Sequence, residues 1–183
     1  MSLPTITAVV VSYNTGPRLH ECLYALKADP DVSEIVIVDN GNPPGEQDWL
    51  DNFSAGSGKV HVIRDGTNPG FGAAVNKGAA GALGQFLLVI NPDAVLRRGS
   101  LARLVGAMDK RAEPVLVGGK IFNIQGQEER GARRNTLTLL RAMGIGKWTL
   151  EKDPPPRESI EVGAVSGAFF MMQRKAFRAL GGF

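Results

Sequence analysis

The sequence predicts an α/β fold, a mostly parallel sheet with helices on both faces. Three observations predict it. Short, nearly all-apolar runs recur through the first two-thirds of the 183 residues, amphipathic helical stripes separate them, and polar residues follow the carboxyl end of one run after another. An apolar run without polar alternation is what a strand covered on both faces requires. A helix between successive strands implies parallel pairing through right-handed crossovers.

Ile6–Tyr13 (ITAVVVSY) is the first strand, β-branched and apolar almost to its end. Thr15 is placed to cap a helix with Pro17 in its first turn. Leu19, Cys22, Leu23 and Leu26 follow at i, i+3, i+4 and i+7, one apolar stripe. Glu34–Asp39 (EIVIVD) is a second strand that ends in a carboxylate, and the turn NGNPPG leads to a short helix around Gln47–Phe53. Lys59–Ile63 (KVHVI) is a third strand. Asn68–Leu83 (NPGFGAAVNKGAAGAL) reads as a loop entering a helix of small residues, and Gln85–Ile90 (QFLLVI) is the fourth strand. Leu101, Leu104, Val105 and Met108 repeat the helical stripe, and Pro114–Phe122 (PVLVGGKIF) is a fifth strand.

From Asn123 to Ser159 the chain is polar, basic and poorly periodic, and Asp153–Arg157 (DPPPR) is stiff and extended. A loop this long is either functional or disordered. With Arg130, Arg133 and Arg134 it is read either as an acceptor- or membrane-facing side or as a surface loop. Ser159–Gln173 resumes as one or two strands, and Arg174 opens a short helix stopped by Gly181 and Gly182. No internal repeat interrupts this order, and the length suits one domain over residues 1–183.

The net charge is +3, with the basic excess between Arg97 and Arg134. That excess suits phosphates or peripheral association with an anionic membrane surface, and equally a solvated basic face. Phe122 is the single aromatic residue within that stretch, too few for a stacking platform, so no nucleic-acid platform is indicated. No apolar run reaches membrane-spanning length, and MSLPTI lacks the pattern of a signal peptide. The single cysteine, Cys22, has no disulfide partner within the chain, which fits a reducing compartment, and it reads as a small buried hydrophobe. These features point to a cytoplasmic location. His20 and His61 have no partners at metal-ligand spacing. GFGAAV is similar to a dinucleotide fingerprint, but Val75 stands at its third small position and the run follows the third strand, which excludes that reading. A phosphate-loop motif and a serine-hydrolase elbow are both missing.

In open parallel sheets, ligands bind outside the carboxyl ends of the strands. Here those ends carry Ser12, Tyr13 and Asn14, then Asp39 and Asn40, then Asn91 and Asp93. Pro92 fixes its own φ and holds Asn91 extended, so the Asp93 carboxylate sits on a stiff turn. Mg²⁺ and Mn²⁺ take oxygen ligands, commonly one or two carboxylates plus substrate phosphates. Asp93 with the Asn91 carbonyl oxygen suits such a site. Equally, Asp93 caps its own turn through an Asx hydrogen bond, and spacing alone leaves the two readings balanced. Gly70 and Gly72 permit close backbone approach at a helix start, where N–H groups meet an anion.

Five segments in order, TAVVVSYN, IVIVDNG, NPGFGAAVNKG, LLVINPDAVL and VSGAFFMMQRKAFRALGGF, resemble glycosyltransferase family 2, its bacterial rhamnosyltransferase-like branch above all. The resemblance covers nearly the whole chain except Asn123–Ser159. It implies a GT-A fold with a Rossmann-like sheet, and transfer with inversion from a nucleotide-diphosphate-sugar, dTDP-rhamnose or a UDP-hexose. The implied acceptor is a cell-surface polysaccharide or a lipid-linked saccharide. It further implies that Ser12, Tyr13 and Asp39 line the nucleoside pocket, with Asn14, Asn40 and Gly70 in the same donor-binding set and Asn76 close to the donor. NPD stands in place of a D-x-D motif, so Asp93 ligates the Mg²⁺ or Mn²⁺ on the diphosphate, while Asn91 is the weaker candidate. In relatives, GGF is followed by an acidic segment that holds the catalytic base. The base is therefore expected beyond Phe183, and these 183 residues are expected to transfer little or no sugar. The alternative is a non-catalytic nucleotide-sugar-binding protein or an inactive fragment on the same fold. A nucleotidyltransferase ranks last, because its glycine-rich start is missing.

Overall fold

The structure is a computed structural model that describes residues 5–64, 66–110, 113, 115–129, 133–134 and 159–183. Pro114, Arg130 and the DPPPR segment lie outside the described residues, as does most of the expected long loop. The strands are β1 (Ile6–Ser12), β2 (Val32–Asp39), β3 (Val60–Arg64), β4 (Phe86–Ile90), β5 (Val117–Gly118), β6 (Arg133–Arg134), β7 (Ala164–Val165) and β8 (Phe169–Gln173). The helices are α1 (Arg18–Ala28), α2 (Pro44–Ser54), α3 (Phe71–Ala80), α4 (Ser100–Asp109) and α5 (Arg174–Ala179).

Six strands form one sheet in the order β3-β2-β1-β4-β8-β5. The first four run parallel, and β8 is antiparallel to both β4 and β5. β6 and β7 pair separately, antiparallel. The chain moves outward from β1 through β2 to β3, then returns to the other flank of β1 as β4. The strand order reverses between β1 and β4, and a crevice opens at their carboxyl ends.

The apolar runs are explained by what covers each face. Successive side chains of a strand point to opposite sides. Ala8 and Val10 of β1 join a core with Leu19, Cys22, Leu23 and Leu26 of α1, Leu50 and Phe53 of α2, and Leu101, Leu104 and Met108 of α4. Val9 and Val11 join a second core with Ala74, Val75 and Ala79 of α3 and Ala176 and Phe177 of α5. All seven residues of β1 are therefore buried. Burying each large apolar side chain contributes roughly 1.5–3 kcal/mol. The small residues of α3 also have a spatial cause. A Cβ at Gly78 would meet Val9 Cγ1 at 2.6 Å, so the helix lies almost directly on β1.

Two sequence expectations are corrected. Thr15 does not cap α1. The residue before the helix is Pro17, no side chain caps it, and the Thr15 hydroxyl lies 3.1 Å from Ser12 Oγ instead. The proline ring presets φ for the turn 16–19, so the helix starts two residues later than a Thr15 cap requires. The fifth strand spans only Val117–Gly118, because the ladder to β8 ends at Gly119 N–H···O Phe169 (3.2 Å) and the chain then folds back on itself. Asn123 drives that reversal by accepting from the N–H groups of Gln125 and Gln127.

The histidines take structural places. His20 stacks on Trp49 at 3.6 Å and meets Glu46 at 2.7 Å, joining α1 to α2. His61 lies on β3, 3.8 Å from Glu34. No described helix is long and apolar enough to cross a membrane.

Candidate functional site

The carboxyl end of β1 splits into inward and outward residues. Ser12 is fully buried. Its Oγ donates to Asn42 Oδ1 (3.1 Å) and accepts from Asn42 Nδ2 (3.0 Å), tying β1 to the turn after β2. Tyr13 is exposed, its ring against the face of Gly41. Asn14 has φ +50°, a left-handed conformation that asparagine tolerates better than most residues.

At the end of β2, Asp39 is buried and fully engaged. Its Oδ1 accepts from Gly41 N–H (3.1 Å), Asn42 N–H (2.8 Å) and Asn42 Nδ2 (2.9 Å). Its Oδ2 accepts from Arg64 Nε (2.7 Å), and Arg64 also reaches Asp51 Oδ1 (2.7 Å) and the Gln47 carbonyl (3.0 Å). Burial alone pushes the Asp39 carboxyl up. The Asn42 N–H, the Arg64 guanidinium and the Gly41 N–H outweigh it and hold the group below the usual carboxylate range. Its stabilising contribution is thus present above the unfolded value near pH 4 and is lost as pH falls through the lower folded value. Arg64→Gln removes the guanidinium and raises the folded value. The acid-unfolding midpoint, followed by circular dichroism, is expected to move to higher pH; an unmoved midpoint contradicts this account.

At the end of β4, Asn91 is fixed by its backbone. Its N–H donates to the Ala168 carbonyl (2.8 Å), and its own carbonyl accepts from Ala94 N–H (3.1 Å) and from Cys22 Sγ (3.6 Å). Cys22 is fully buried; burial, then the charge of Asp93, pushes its thiol up to about 12, so it stays a protonated donor. An Asx cap by Asp93 would accept from the N–H two residues on, and no such bond forms. Asp93 is exposed and makes no hydrogen bond or ion pair with a described residue.

These ends meet in an open cleft of about 580 Å³ at the reversal between β1 and β4. Of the sequence-expected residues, Tyr13, Asn40, Gly70, Asn91 and Asp93 line it, while Ser12, Asn14, Asp39 and Asn76 do not. Arg18, Asn68 and Phe71 also line it and were not singled out from the sequence. Asn68 Oδ1 accepts from Asn40 Nδ2 (3.2 Å) and Gly70 N–H (3.1 Å), joining the end of β2 to the start of α3. The signal for Asn68 was its Asn-Pro-Gly turn; nothing local marks Arg18. A smaller concavity of about 360 Å³, lined by Thr5, Gln85 and Arg174 among others, lies at the opposite end of the sheet, away from every strand-end candidate.

Asn76 is committed elsewhere. Its Nδ2 donates to the Phe183 carbonyl (3.0 Å) and its Oδ1 accepts from Phe183 N–H (2.9 Å). Gly182, at φ +82°, brings the backbone so close that any Cβ there would strike the Asn76 amide. The Phe183 ring meets Phe170 and Phe177, with centroids 6.0 and 5.9 Å away. Asn76→Ala is expected to cost about 1–2 kcal/mol and to expose the Phe183 amide to rapid hydrogen exchange. Retained protection of that amide refutes the pairing.

Among the described residues no three His, Cys, Asp or Glu side chains gather. The Asn91 backbone carbonyl is already engaged twice, so the hard oxygen donors left in the cleft are the Asp93 carboxylate and the Asn91 side-chain amide oxygen, a set that suits a magnesium-like cation whose remaining positions go to phosphate oxygens and water.

Residues 7–181 match the family described as Glycosyl transferase family 2. The chain is 27% identical over 114 residues to the glycosyltransferase GlyG of Streptococcus pneumoniae serotype 4, which covers 62% of this chain and 38% of that protein. It is 26% identical over 201 residues to the N-acetylglucosaminyl-diphospho-decaprenol L-rhamnosyltransferase of Mycobacterium tuberculosis, covering 97% of this chain and 64% of that one. Thus the chain spans less than two-thirds of the length of either relative. Its fold is similar to that of the mannosyltransferase PcManGT of Pyrobaculum calidifontis, solved with GDP-Man and Mn²⁺. The TM-score is 0.65 at 18% identity, over 100% of this chain and 48% of that one. The six-stranded, mostly parallel sheet is a GT-A fold, and with the match over nearly its full length the chain belongs to glycosyltransferase family 2.

Proposed function

We propose that these residues are the donor-binding part of an inverting glycosyltransferase that uses a nucleotide-diphosphate-sugar, dTDP-rhamnose or a UDP-hexose. The proposed acceptor is a polysaccharide or lipid-linked saccharide of the cell surface. One observation carries this reading. Asp93 is a carboxylate with no partner among the described residues, on a stiff turn in the cleft where the strand order reverses. Asp39, by contrast, has both carboxylate oxygens engaged.

In this reading the nucleoside lies over the ends of β1 and β2, against the Tyr13 ring, with Asn40 and Asn68 at its edge. Ser12 and Asp39 do not touch it. They hold Asn42 and the turn that shape the pocket floor. The diphosphate lies toward Asp93 and the start of α3 at Gly70. A divalent cation, Mg²⁺ or Mn²⁺, supplies Lewis-acid stabilisation of the leaving diphosphate when it is bound at Asp93. The acceptor hydroxyl oxygen bonds to the anomeric carbon from the opposite face, the bond from that carbon to the diphosphate breaks, and its electron pair leaves with the nucleotide. The hydroxyl proton passes to a base. Asp93 is the single carboxylate among the described residues that line the cleft, so the base is proposed to come from the acceptor side.

Titration calorimetry of dTDP- and UDP-sugars with and without Mn²⁺ tests the donor reading. Binding that strengthens with Mn²⁺ is expected. No nucleotide binding under either condition overturns it. The lone cleft carboxylate also favours a second reading, a protein that binds the donor without turning it over. Nucleotide release in the presence of a saccharide acceptor separates the two.

A further inference from the structure

Among the described residues that line the cleft, one besides Asp93 is charged at neutral pH, Arg18, the first residue of α1. Its placement follows from the helix. Cys22, four residues later, puts its Sγ 3.6 Å from the Asn91 carbonyl, so this face of α1 abuts the turn that carries Asp93. Residues i and i+4 share a helix face. Arg18 therefore sits on that face about one turn from Cys22, about 6 Å along the axis, at the cleft end of the helix. It is exposed, and its guanidinium makes no hydrogen bond or ion pair with a described residue. Two opposite charges thus line one cleft without pairing. The space between them suits a ligand that carries negative charge toward Arg18 and a cation toward Asp93.

We propose that Arg18 binds the diphosphate of the nucleotide-sugar donor on the side away from Asp93 and stabilises the charge that develops on it. The proposal rests on the donor reading above and extends it to a residue which that reading does not use. Charge counting supports it. Arg64 already neutralises Asp39. With one negative charge on each donor phosphate and a divalent cation at Asp93, the assembly keeps one negative charge in excess. Breaking the bond to the sugar leaves a further negative charge on the departing diphosphate. Arg18 supplies the missing positive charge beside the departing diphosphate, where it stabilises the charge that develops in the transition state. Its planar fork also contacts two phosphate oxygens at once, which a lysine does not.

The test measures equilibrium binding of dTDP and UDP, of the matching monophosphates, and of thymidine and uridine. It uses the wild type, Arg18→Gln and Arg18→Lys, each with Mn²⁺ and with chelator. Arg18 is exposed, so neither variant disturbs the core; unchanged circular dichroism verifies this. In Arg18→Gln, diphosphate affinity is expected to fall roughly 10- to 100-fold, in chelator as well as in Mn²⁺, with nucleoside affinity unchanged. Arg18→Lys is expected to recover part of the loss. Diphosphate affinity within two-fold of wild type in Arg18→Gln overturns the assignment while leaving the donor reading intact. An equal loss for nucleosides overturns it too, because it marks a general effect on the pocket. A wild type that binds none of these nucleotides removes the donor reading, and this proposal with it.

Discussion

Asp93→Ala is expected to abolish the Mn²⁺ dependence of nucleotide-diphosphate binding. In the wild type, Mn²⁺ is expected to tighten UDP or dTDP. In the variant, the two affinities, with metal and with chelator, are expected to coincide at the weaker value. The loss should be at least about ten-fold, the order expected when a charge-assisted contact disappears. The protein itself should remain folded, because Asp93 is exposed and makes no contact whose loss would strand a buried group. Asp93→Asn keeps the shape and one carbonyl oxygen but removes the charge, so it should fall between the two. Calorimetry at matched ionic strength reads the effect. An Asp93→Ala protein that still gains affinity from Mn²⁺ places the cation elsewhere and removes the central argument for the site. Asp39→Ala is the informative contrast. It leaves Arg64 and the turn amides without their acceptor, so it should act on stability first and on binding only through the turn.

The contrast between these two aspartates marks how far the sequence could be read. Both end an apolar strand, and both look like candidates for chemistry. What separates them is distant or local in a way that spacing does not encode. Asp39 is neutralised by an arginine on the next strand and hydrogen-bonded by an asparagine three residues on. Asp93 is exposed at the cleft and bonds no described residue, its turn being closed by Ala94 N–H on the Asn91 backbone carbonyl. The helical stripe of α1 and the runs of β1, β2 and β4 were legible because burial on both faces leaves nothing but apolar residues. The direction of β8 was not, since FFMMQ carries no mark of whether its neighbour runs with it or against it. The small residues of α3 were legible, but not that Gly78 lies on Val9, and Asn76, which the family resemblance put near the donor, pairs with Phe183 from 107 positions away. Nothing in the spacing marked Arg18, and only the packing of α1 against the turn after β4 brings it into the cleft.

Gly84→Ala is expected to be the most destabilising of the conservative substitutions considered. A Cβ at Gly84 would lie 2.5 Å from the Thr7 backbone nitrogen, 2.8 Å from Thr7 Oγ1 and 3.0 Å from the Ile6 carbonyl carbon. Those atoms are backbone, or a hydroxyl already fixed, so no flexible side chain moves aside. The hydroxyl is fixed because Thr7 Oγ1 donates to Glu34 Oε2 (2.5 Å) and accepts from Gly84 N–H (2.9 Å), while Leu83 N–H donates to the same Glu34 oxygen (2.9 Å). Thr7 is fully buried and Glu34 nearly so. Moving the 83–85 loop outward to admit a methyl group breaks these bonds together and leaves a buried carboxylate short of donors, a costly outcome in a low-dielectric interior. It also pulls on the Gly84 carbonyl, which accepts from Arg174 Nε at 2.6 Å, and through it on the start of α5. Overpacking against backbone and the loss of buried hydrogen bonds together should cost about 3 kcal/mol or more, a fall in Tm of roughly 6–12 °C for a chain of this size. Gly106→Ala in α4 is the internal control, since a Cβ there meets nothing within 4 Å. The same chemical change should gain about 0.5–1 kcal/mol there from helix propensity. Opposite signs in the two thermal melts are the expected result. Equal shifts would mean that the 83–85 loop yields freely, and that the Thr7–Glu34 network does not hold the amino end of the sheet.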